Sequence, residues 1–145
     1  MTIHELQRRL KGFDILTEVH EAIFETAENI ADFNRKQLFE GIRSTGSEIK
    51  PAYAPLTILI KDQKGQPTDR VTLKDTDEFY ESIGVNAESD TYEISASDEK
   101  AESLEKKYGK RILGLTKDSR SEYVAYHFFP ALRERITKRL GFKFG

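Results

Sequence analysis

The sequence predicts an α+β fold in which a long N-terminal helix and a C-terminal helix pack on a small, mostly antiparallel sheet. Three observations lead there: apolar residues at helical spacing over the first 43 positions, a hairpin pattern near residue 90, and a second helical pattern after Thr116. With 145 residues, the chain is long enough for one domain with its own core. We therefore expect a single domain made of a helical segment (1–43), a mixed core (44–115) and a C-terminal helix with a tail (116–145).

The composition predicts a thin core under a very polar surface. Hydrophobic residues make up 37% of the chain and charged residues 33%. Such a chain fits an elongated subunit that gains part of its stability from its neighbours. The absence of cysteine excludes disulfides and thiolate metal sites. No secretion signal is recognisable and no apolar run approaches the ~20 residues of a membrane span, so we expect a cytoplasm-like compartment and no membrane contact.

Apolar residues at helical spacing run through the first third of the chain. Gly12 is expected to divide them into a short first helix and a long second helix over residues 14–43. The spacing departs from strict heptads, which favours one packed helix over a coiled coil. This helix is amphipathic, and its carboxylates, Glu18 and Glu25 among them, are expected to face solvent.

The segment that follows mixes turn and extended signals. Residues 44–47 form a helix stop and a turn, and Pro51 and Pro55 keep the next part of the chain extended. By composition, residues 56–60 (LTILI) form a buried strand, although Thr57 could equally cap a short helical turn. Both alternatives stay open from the residues alone.

Two further expectations concern this segment. An apolar clamp is expected to pack on the long helix near Ile23 and Ile30; its members are Tyr53, Leu56 and Ile58 or Ile60. The polar loop at residues 61–70 is expected to be exposed and mobile, and to order against a neighbour in an assembly. Its Lys64 and Gln66 are therefore candidate interface residues.

The rest of the core is predicted to alternate short strands and helices. Residues 70–73 have the pattern of a short strand, and Asp75 and Glu78 have the spacing of a capping box that opens a short helix. Residues 84–88 and 91–96 have the pattern of a hairpin. The remaining elements are a helix over 98–107 that Gly109 ends, and a strand or extended buried segment at Ile112, Leu113 and Leu115.

The last helix has a clear start and a clear end. Thr116 is its predicted N-cap and Gly141 its terminator. Pro130 lies inside the apolar pattern and removes a backbone hydrogen bond, so we expect a bend near Phe129. Beyond the helix, the sequence GFKFG adds two aromatic side chains, those of Phe142 and Phe144.

No catalytic pattern is recognisable. His4, His20 and His127 lie far apart in the sequence without metal-ligand spacing. Asp75 and Asp77 form a DxD pattern, which the start of a helix explains better than a metal site does. No nucleophile elbow and no phosphate-binding glycine loop is present. We expect no enzyme activity, no cofactor and no metal.

Charge is distributed unevenly along the chain. The region from 75 to 105 holds eleven acidic residues and one base, Lys100, whereas the region from 110 to 145 holds nine Lys or Arg and three acids. Opposite patches of this kind suit head-to-tail contact between copies. The C-terminal interface candidates are Arg133, Arg135, Lys138, Arg139, Phe142 and Phe144. The same basic and aromatic residues suit a small nucleic-acid-binding module, which is the alternative function.

The order of motifs in the core resembles the neck and tail-completion proteins of tailed bacteriophages, a head–tail joining family. An aromatic residue precedes a Pro-Leu-Thr clamp and a basic position, formed by Tyr53, Pro55, Leu56, Thr57 and Lys61. A helix-start motif follows, formed by Leu73, Asp75, Thr76, Ser82 and Ile83. Residues 112–116, ILGLT, are similar to the segment before the family's last helix. Asp77 stands where the family usually has glycine.

The resemblance implies an α+β subunit that packs in a ring at the head–tail joint and has no active site. It favours the helical turn over the strand for residues 56–60. It also implies portal, adaptor or tail-tube proteins as partners, and a location in the neck or tail of the virion after assembly in the host cytoplasm. Direct contact with DNA is left open.

Overall fold

The computed structural model of the protein describes residues 2–141 and confirms an α+β fold. Its helices are α1 (Ile3–Lys11), α2 (Ile15–Glu25), α3 (Ala27–Phe39), α4 (Pro55–Gln63), α5 (Glu78–Ser82), α6 (Ala101–Tyr108), α7 (Lys117–Tyr123) and α8 (Phe129–Leu140). The strands β1 (Ile83–Glu88) and β2 (Thr91–Ala96) form one antiparallel sheet. A 3-10 turn (Lys110–Ile112) and a π-helical turn (Val124–Phe128) complete the elements.

The chain opens with the short helix that the sequence predicted. Thr2 and Glu5 form a capping box: the Glu5 N–H donates to the Thr2 hydroxyl (3.1 Å) and the Thr2 N–H donates to the Glu5 carboxylate (2.8 Å). The predicted break at Gly12 is confirmed, since α1 ends at Lys11.

The predicted continuous helix over residues 14–43 is interrupted at Thr26, which separates α2 from α3. The Thr26 hydroxyl donates to the Ala22 carbonyl (2.7 Å) and shares a 2.7 Å hydrogen bond with the Tyr123 hydroxyl. A threonine that bonds the carbonyl four residues earlier tends to bend its helix. The prediction of an unbroken helix is wrong here, because a tertiary contact with the C-terminal part of the chain holds the break.

Helix α3 joins two clusters of buried side chains. Leu38 belongs to the larger cluster, whereas Ile30 belongs to the smaller one together with Ile23 of α2. The hairpin covers both clusters through Val85 and Ile94, which face each other in the β1–β2 register. The hairpin prediction is thus confirmed, and its inward side chains bind the two halves of the core together.

Two buried amides of α3 hold the segment that precedes the last helix. Asn34 Nδ2 donates to the Ile112 carbonyl (3.0 Å), and the Gly114 N–H donates to Asn34 Oδ1 (2.8 Å). Gln37 Nε2 donates to the Gly114 carbonyl (2.8 Å), and the Thr116 N–H donates to Gln37 Oε1 (2.9 Å). These side chains replace a neighbouring strand, so the segment is buried and extended after its initial 3-10 turn.

The predicted strand at residues 70–73 is wrong. The Tyr53 hydroxyl accepts from the N–H groups of Thr72 (2.9 Å) and Leu73 (3.3 Å), and the Tyr80 hydroxyl donates to the Thr72 carbonyl (2.6 Å). Burial raises the pKa of Tyr80 well above its usual range. Leu73 has φ 57°, which no regular strand adopts. Side-chain hydroxyls therefore satisfy the backbone groups that a strand partner would have satisfied.

The short helices differ from prediction in their caps. The N-cap of α5 is Asp77 rather than Asp75, and its side chain forms no capping hydrogen bond. Asp75 pairs instead with Lys64. Helix α6 ends at Gly109 as predicted, with a positive φ of 95° but a ψ of 158° that lies outside the left-handed helical region.

The last helical segment runs from α7 through the π-helical turn to α8. Thr116 is its N-cap as predicted, and its hydroxyl accepts from the Ser119 N–H (3.1 Å). The wide π-helical turn ends directly before Phe129, where the sequence predicts a bend because of Pro130. Gly141 ends α8 in the left-handed conformation that glycine adopts readily, φ 77°.

Candidate interaction surfaces

Helix α4 turns apolar side chains toward solvent. Residues 56–60 are helical, which settles the choice between strand and helix, and Pro55 occupies the first turn, where its missing N–H breaks no hydrogen bond. Leu56 is 68% exposed and Leu59 56% exposed. We call this outward apolar surface the α4 face; its members are Leu56, Ile58, Leu59 and Ile60.

The inward side of α4 is polar. Lys61 is only 8% exposed, and its ammonium group donates to the Lys74 carbonyl (2.9 Å) and lies 4.9 Å from the centre of the Tyr53 ring. Thr57, one turn earlier, is half-buried on the same side. A surface helix normally buries its apolar side and exposes its polar side. In α4 this arrangement is reversed.

The predicted apolar clamp is wrong for the α4 side chains. Tyr53 does pack against the larger core cluster. Leu56, however, is exposed, and Ile23 and Ile30 lie in the smaller cluster, where Tyr123 is their buried aromatic neighbour. Leu56 therefore contributes little to the core of the isolated subunit.

A cavity of about 250 Å³, the α4 pocket, opens beside the α4 face. Two buried side chains of the larger cluster, Ile49 and Val71, supply apolar lining, and Ile58 adds to it from the α4 face. The charged lining residues are Glu40, Glu48, Lys50, Asp69 and Arg70. Asp69 and Arg70 form an ion pair (2.7 Å), and Glu40 and Glu48 are exposed. The pocket combines an apolar interior with an acidic edge.

The predicted interface residues Lys64 and Gln66 both contact Asp75. Lys64 Nζ lies 2.8 Å from Asp75 Oδ1, and Gln66 Nε2 donates to the Asp75 carbonyl (2.8 Å). The hydrogen bond from Lys64 lowers the pKa of Asp75. Lys64 remains half-exposed, whereas Gln66 is partly buried. These contacts hold the loop after α4 against the body of the subunit, so it is less free than the sequence suggests.

Two of the predicted interface arginines contact a buried carboxylate. Arg135 Nε donates to Glu18 Oε2 (2.9 Å), and Arg139 Nε donates to Glu18 Oε1 (3.0 Å). Glu18 is 3% exposed, so the expectation that it faces solvent is wrong. Arg135 also pairs with Glu25. Burial works to lower the pKa of Arg135, but its bonds to Glu25 and Glu18 outweigh this and raise it. This ion cluster ties α8 to α2.

The other C-terminal candidates are placed differently. Arg133 is exposed on α8, and Lys138 pairs with Glu134 one turn away (3.0 Å) at the surface. Phe142 and Phe144 lie outside the described residues. Since Arg135 and Arg139 serve the contact with Glu18, less positive charge is left on α8 for a phosphate backbone than the sequence count implies.

Within residues 2–141, no group of three or more His, Asp or Glu residues is arranged to hold a metal ion. His4 and His20 lie on α1 and α2, and His127 lies in the π-helical turn, where its ring stacks on Tyr123. In the same part of the chain, no helix has both the length and the apolar character needed to cross a bilayer.

Sequence reasoning missed the α4 face, the α4 pocket and the burial of Glu18. One signal could have indicated that residues 56–60 are helical: Thr57 and Lys61 are one helical turn apart and share one side of a helix, whereas on a strand Leu59 would share that side with them. This spacing does not show which side of the helix faces solvent. The partners of Glu18 come from the far end of the chain, more than 110 residues away. Nothing local in the sequence indicates that contact.

Comparison with known protein families, with curated proteins and with solved structures found no match. Function is therefore inferred from the residues and surfaces themselves.

Proposed function

We propose that the protein is a structural subunit of a tailed-phage virion, a neck or tail-completion protein that joins a ring at the head–tail joint. The motif order from Tyr53 to residue 116 supports the family. The observation that carries the proposal is the α4 face, because an apolar helix surface that the subunit leaves exposed is suited to contact with another protein chain. On this proposal the protein works by contact with its neighbours and not by catalysis.

The energetics of the α4 face support protein contact. A Leu or Ile side chain that becomes fully buried contributes roughly 1.5–3 kcal/mol relative to its exposed state. Four neighbouring aliphatic side chains on one short helix therefore offer several kcal/mol to any chain that covers them. Contiguous exposed apolar patches on otherwise polar proteins commonly mark interaction sites. The surrounding surface of this protein is polar, with charged residues forming 33% of the chain.

Two surfaces of the subunit differ in chemistry, which supports head-to-tail packing. One surface is formed by the α4 face and the acidic edge of the α4 pocket. The other is formed by the end of α8, with Arg133 and Lys138 exposed. Contact between unlike surfaces generates rings when the rotation closes. Portal, adaptor or tail-tube proteins would supply the neighbours above and below such a ring.

The proposal is tested by deleting the gene from the phage genome that encodes it and examining particles by electron microscopy. We expect heads and tails that fail to join or that separate, with normal joining restored by the wild-type gene. A Leu59→Glu variant should fail to restore joining, because a charge at the centre of the α4 face opposes burial. Ser103→Glu, an exposed change on α6, should restore it. Normally joined particles without the gene would refute the proposal.

A further inference from the structure

We infer that the α4 pocket receives the aromatic segment that follows α8 of a second copy of this chain, with Phe142 and Phe144 as the anchoring side chains and Lys143 between them. The inference rests on the proposed function and deepens it, because it names the segment that occupies the pocket beside the α4 face. It depends on two observations: the chemistry of the pocket and the distance between the pocket and the end of α8.

The lining of the α4 pocket matches an aromatic and basic segment. The buried side chains of Ile49 and Val71 provide an apolar interior, and Ile58 extends it along the α4 face. The exposed carboxylates Glu40 and Glu48 lie at the edge, and within the described residues neither forms an ion pair. An interior of this kind suits a phenylalanine ring.

The charges at the edge of the α4 pocket complement the charge of the proposed segment. Asp69 is neutralised by its pair with Arg70, and Lys50 is one further cation in the lining. Glu40 and Glu48 leave the edge with an excess of negative charge. A lysine flanked by two phenylalanines can place its ammonium group at this edge while a ring enters the apolar interior. The sequence Phe142-Lys143-Phe144 has this order of side chains.

The pocket lies far from the end of α8 in the same chain. The C-terminal helical segment begins beside α3, where the Thr116 N–H donates to Gln37, and ends where Arg139 contacts Glu18 of α2. Glu40, in the pocket lining, follows Gln37 by three residues. The segment from Lys117 to Leu140 has a length of roughly 36 Å at 1.5 Å per residue. The pocket therefore lies near the start of this segment, whereas Gly141 lies at its end.

The path through α2 and α3 gives the same result. Between Glu18 and Glu40 the helices rise by roughly 30 Å, and the single residue Thr26 that separates them is too short a connection to fold one helix back on the other. Phe144 follows Gly141 by three residues, which extend at most roughly 11 Å. Three residues are short relative to both helical lengths, so the geometry favours the pocket of a second copy over the pocket of the same chain.

Disulfide trapping tests the inference, because the chain contains no cysteine of its own. One chain carries Ala52→Cys, an exposed position in the pocket lining, and a second chain carries Gly145→Cys, which keeps both phenylalanines. Since each chain has a single cysteine, every cross-link joins two copies. The matched control replaces Ala52→Cys by Ser121→Cys, an exposed position on α7. Mixtures are oxidised mildly, both as purified protein and in particles from cells that express both variants.

We expect the Ala52→Cys and Gly145→Cys chains to form at least about tenfold more mixed dimer than the control mixture does, and a further Phe142→Ser change to reduce the yield. If mixed dimers stay at the control level in both samples while mass measurement shows that the protein is assembled, the contact between the C-terminal segment and the α4 pocket is overturned. The proposed function would then still stand. Absence of the protein from particles that join normally would overturn both.

Discussion

Helices α3 and α4 use opposite arrangements of side chains. Helix α3 buries Ile30, Ala31 and Leu38, and the polar groups it buries, Asn34 and Gln37, bond backbone atoms of residues 112–116. Helix α4 buries Lys61 and exposes the four side chains of the α4 face. Both helices contain several apolar residues. Only α3 places them in the core of the subunit.

The difference separates stability from interaction. Every buried polar side chain on α3 has a hydrogen-bond partner within the subunit, so the burial of α3 stabilises the fold without the cost of an unsatisfied polar group. Among residues 2–141, the apolar groups of α4 have no such partner, so their burial against another chain would contribute binding free energy. Substitutions on α3 should therefore change folding, and substitutions on the α4 face should change assembly.

The largest expected effect comes from truncating matched leucines on the two helices. Leu38→Ala should lower the free energy of unfolding by about 2–5 kcal/mol, because it leaves a cavity in a fully buried site. Leu56→Ala, at an exposed site, should change it by no more than about 0.5 kcal/mol. Urea denaturation of both variants provides the measurement. Equal losses would mean that α4 belongs to the core and would break the comparison.

A second prediction concerns the ion cluster that joins α2 to α8. Arg135→Ala should destabilise the protein by about 2–3 kcal/mol, because buried Glu18 then keeps Arg139 as its one cationic partner among the described residues. Arg133→Ala, at the surface of the same helix, should cost less than about 0.5 kcal/mol. Thermal unfolding of the two variants measures the difference between these two losses of stability. Reversal of Arg135 and Arg139 to Glu is therefore expected to unfold the subunit, so only Arg133 and Lys138 are suitable for testing charge at an interface.

The smallest effect is expected at the loop after α4. The pKa of Asp75 is lowered chiefly by the hydrogen bond from Lys64, so the ionised form is the one that the fold favours. Its stabilisation is present above the unfolded pKa near 4 and is lost as pH falls through the lower folded pKa. Because both groups are half-exposed, the contribution is at most about 1 kcal/mol. Asp75→Asn should flatten the dependence of the free energy of unfolding on pH below about pH 4; an unchanged slope would show that this pair does not hold the loop.

Local signals in the sequence predicted much of the fold. The hairpin, the break at Gly12, the N-cap at Thr116 and the terminator at Gly141 each depend on neighbouring residues, and each is found. The predictions of a strand at 70–73 and of an unbroken helix are wrong because both conformations depend on hydroxyl groups elsewhere in the chain. These belong to Tyr53 and Tyr80 in the first case and to Tyr123 in the second.

The candidate surfaces were harder to predict for the same reason. A run such as LTILI is typical of a buried element, and only the position of Lys61 in three dimensions shows that the run faces outward. The basic residues of α8 are close together in the sequence, but the partners of Arg135 and Arg139 on α2 are fixed by the packing of the two helices. Charge along the sequence therefore overstated the free positive charge at the C-terminal end.

The central claim, that the α4 face is covered by another chain in the assembled state, can be measured directly with a single cysteine. Leu59→Cys places a thiol at the centre of the α4 face of a chain that otherwise has none, and Ser121→Cys provides an exposed control on α7. Both thiols should react rapidly with a maleimide in the free protein. In assembled particles the thiol at 59 should react at least about tenfold more slowly while the thiol at 121 is unchanged. Equal reactivity of Leu59→Cys in free and assembled protein would contradict the account.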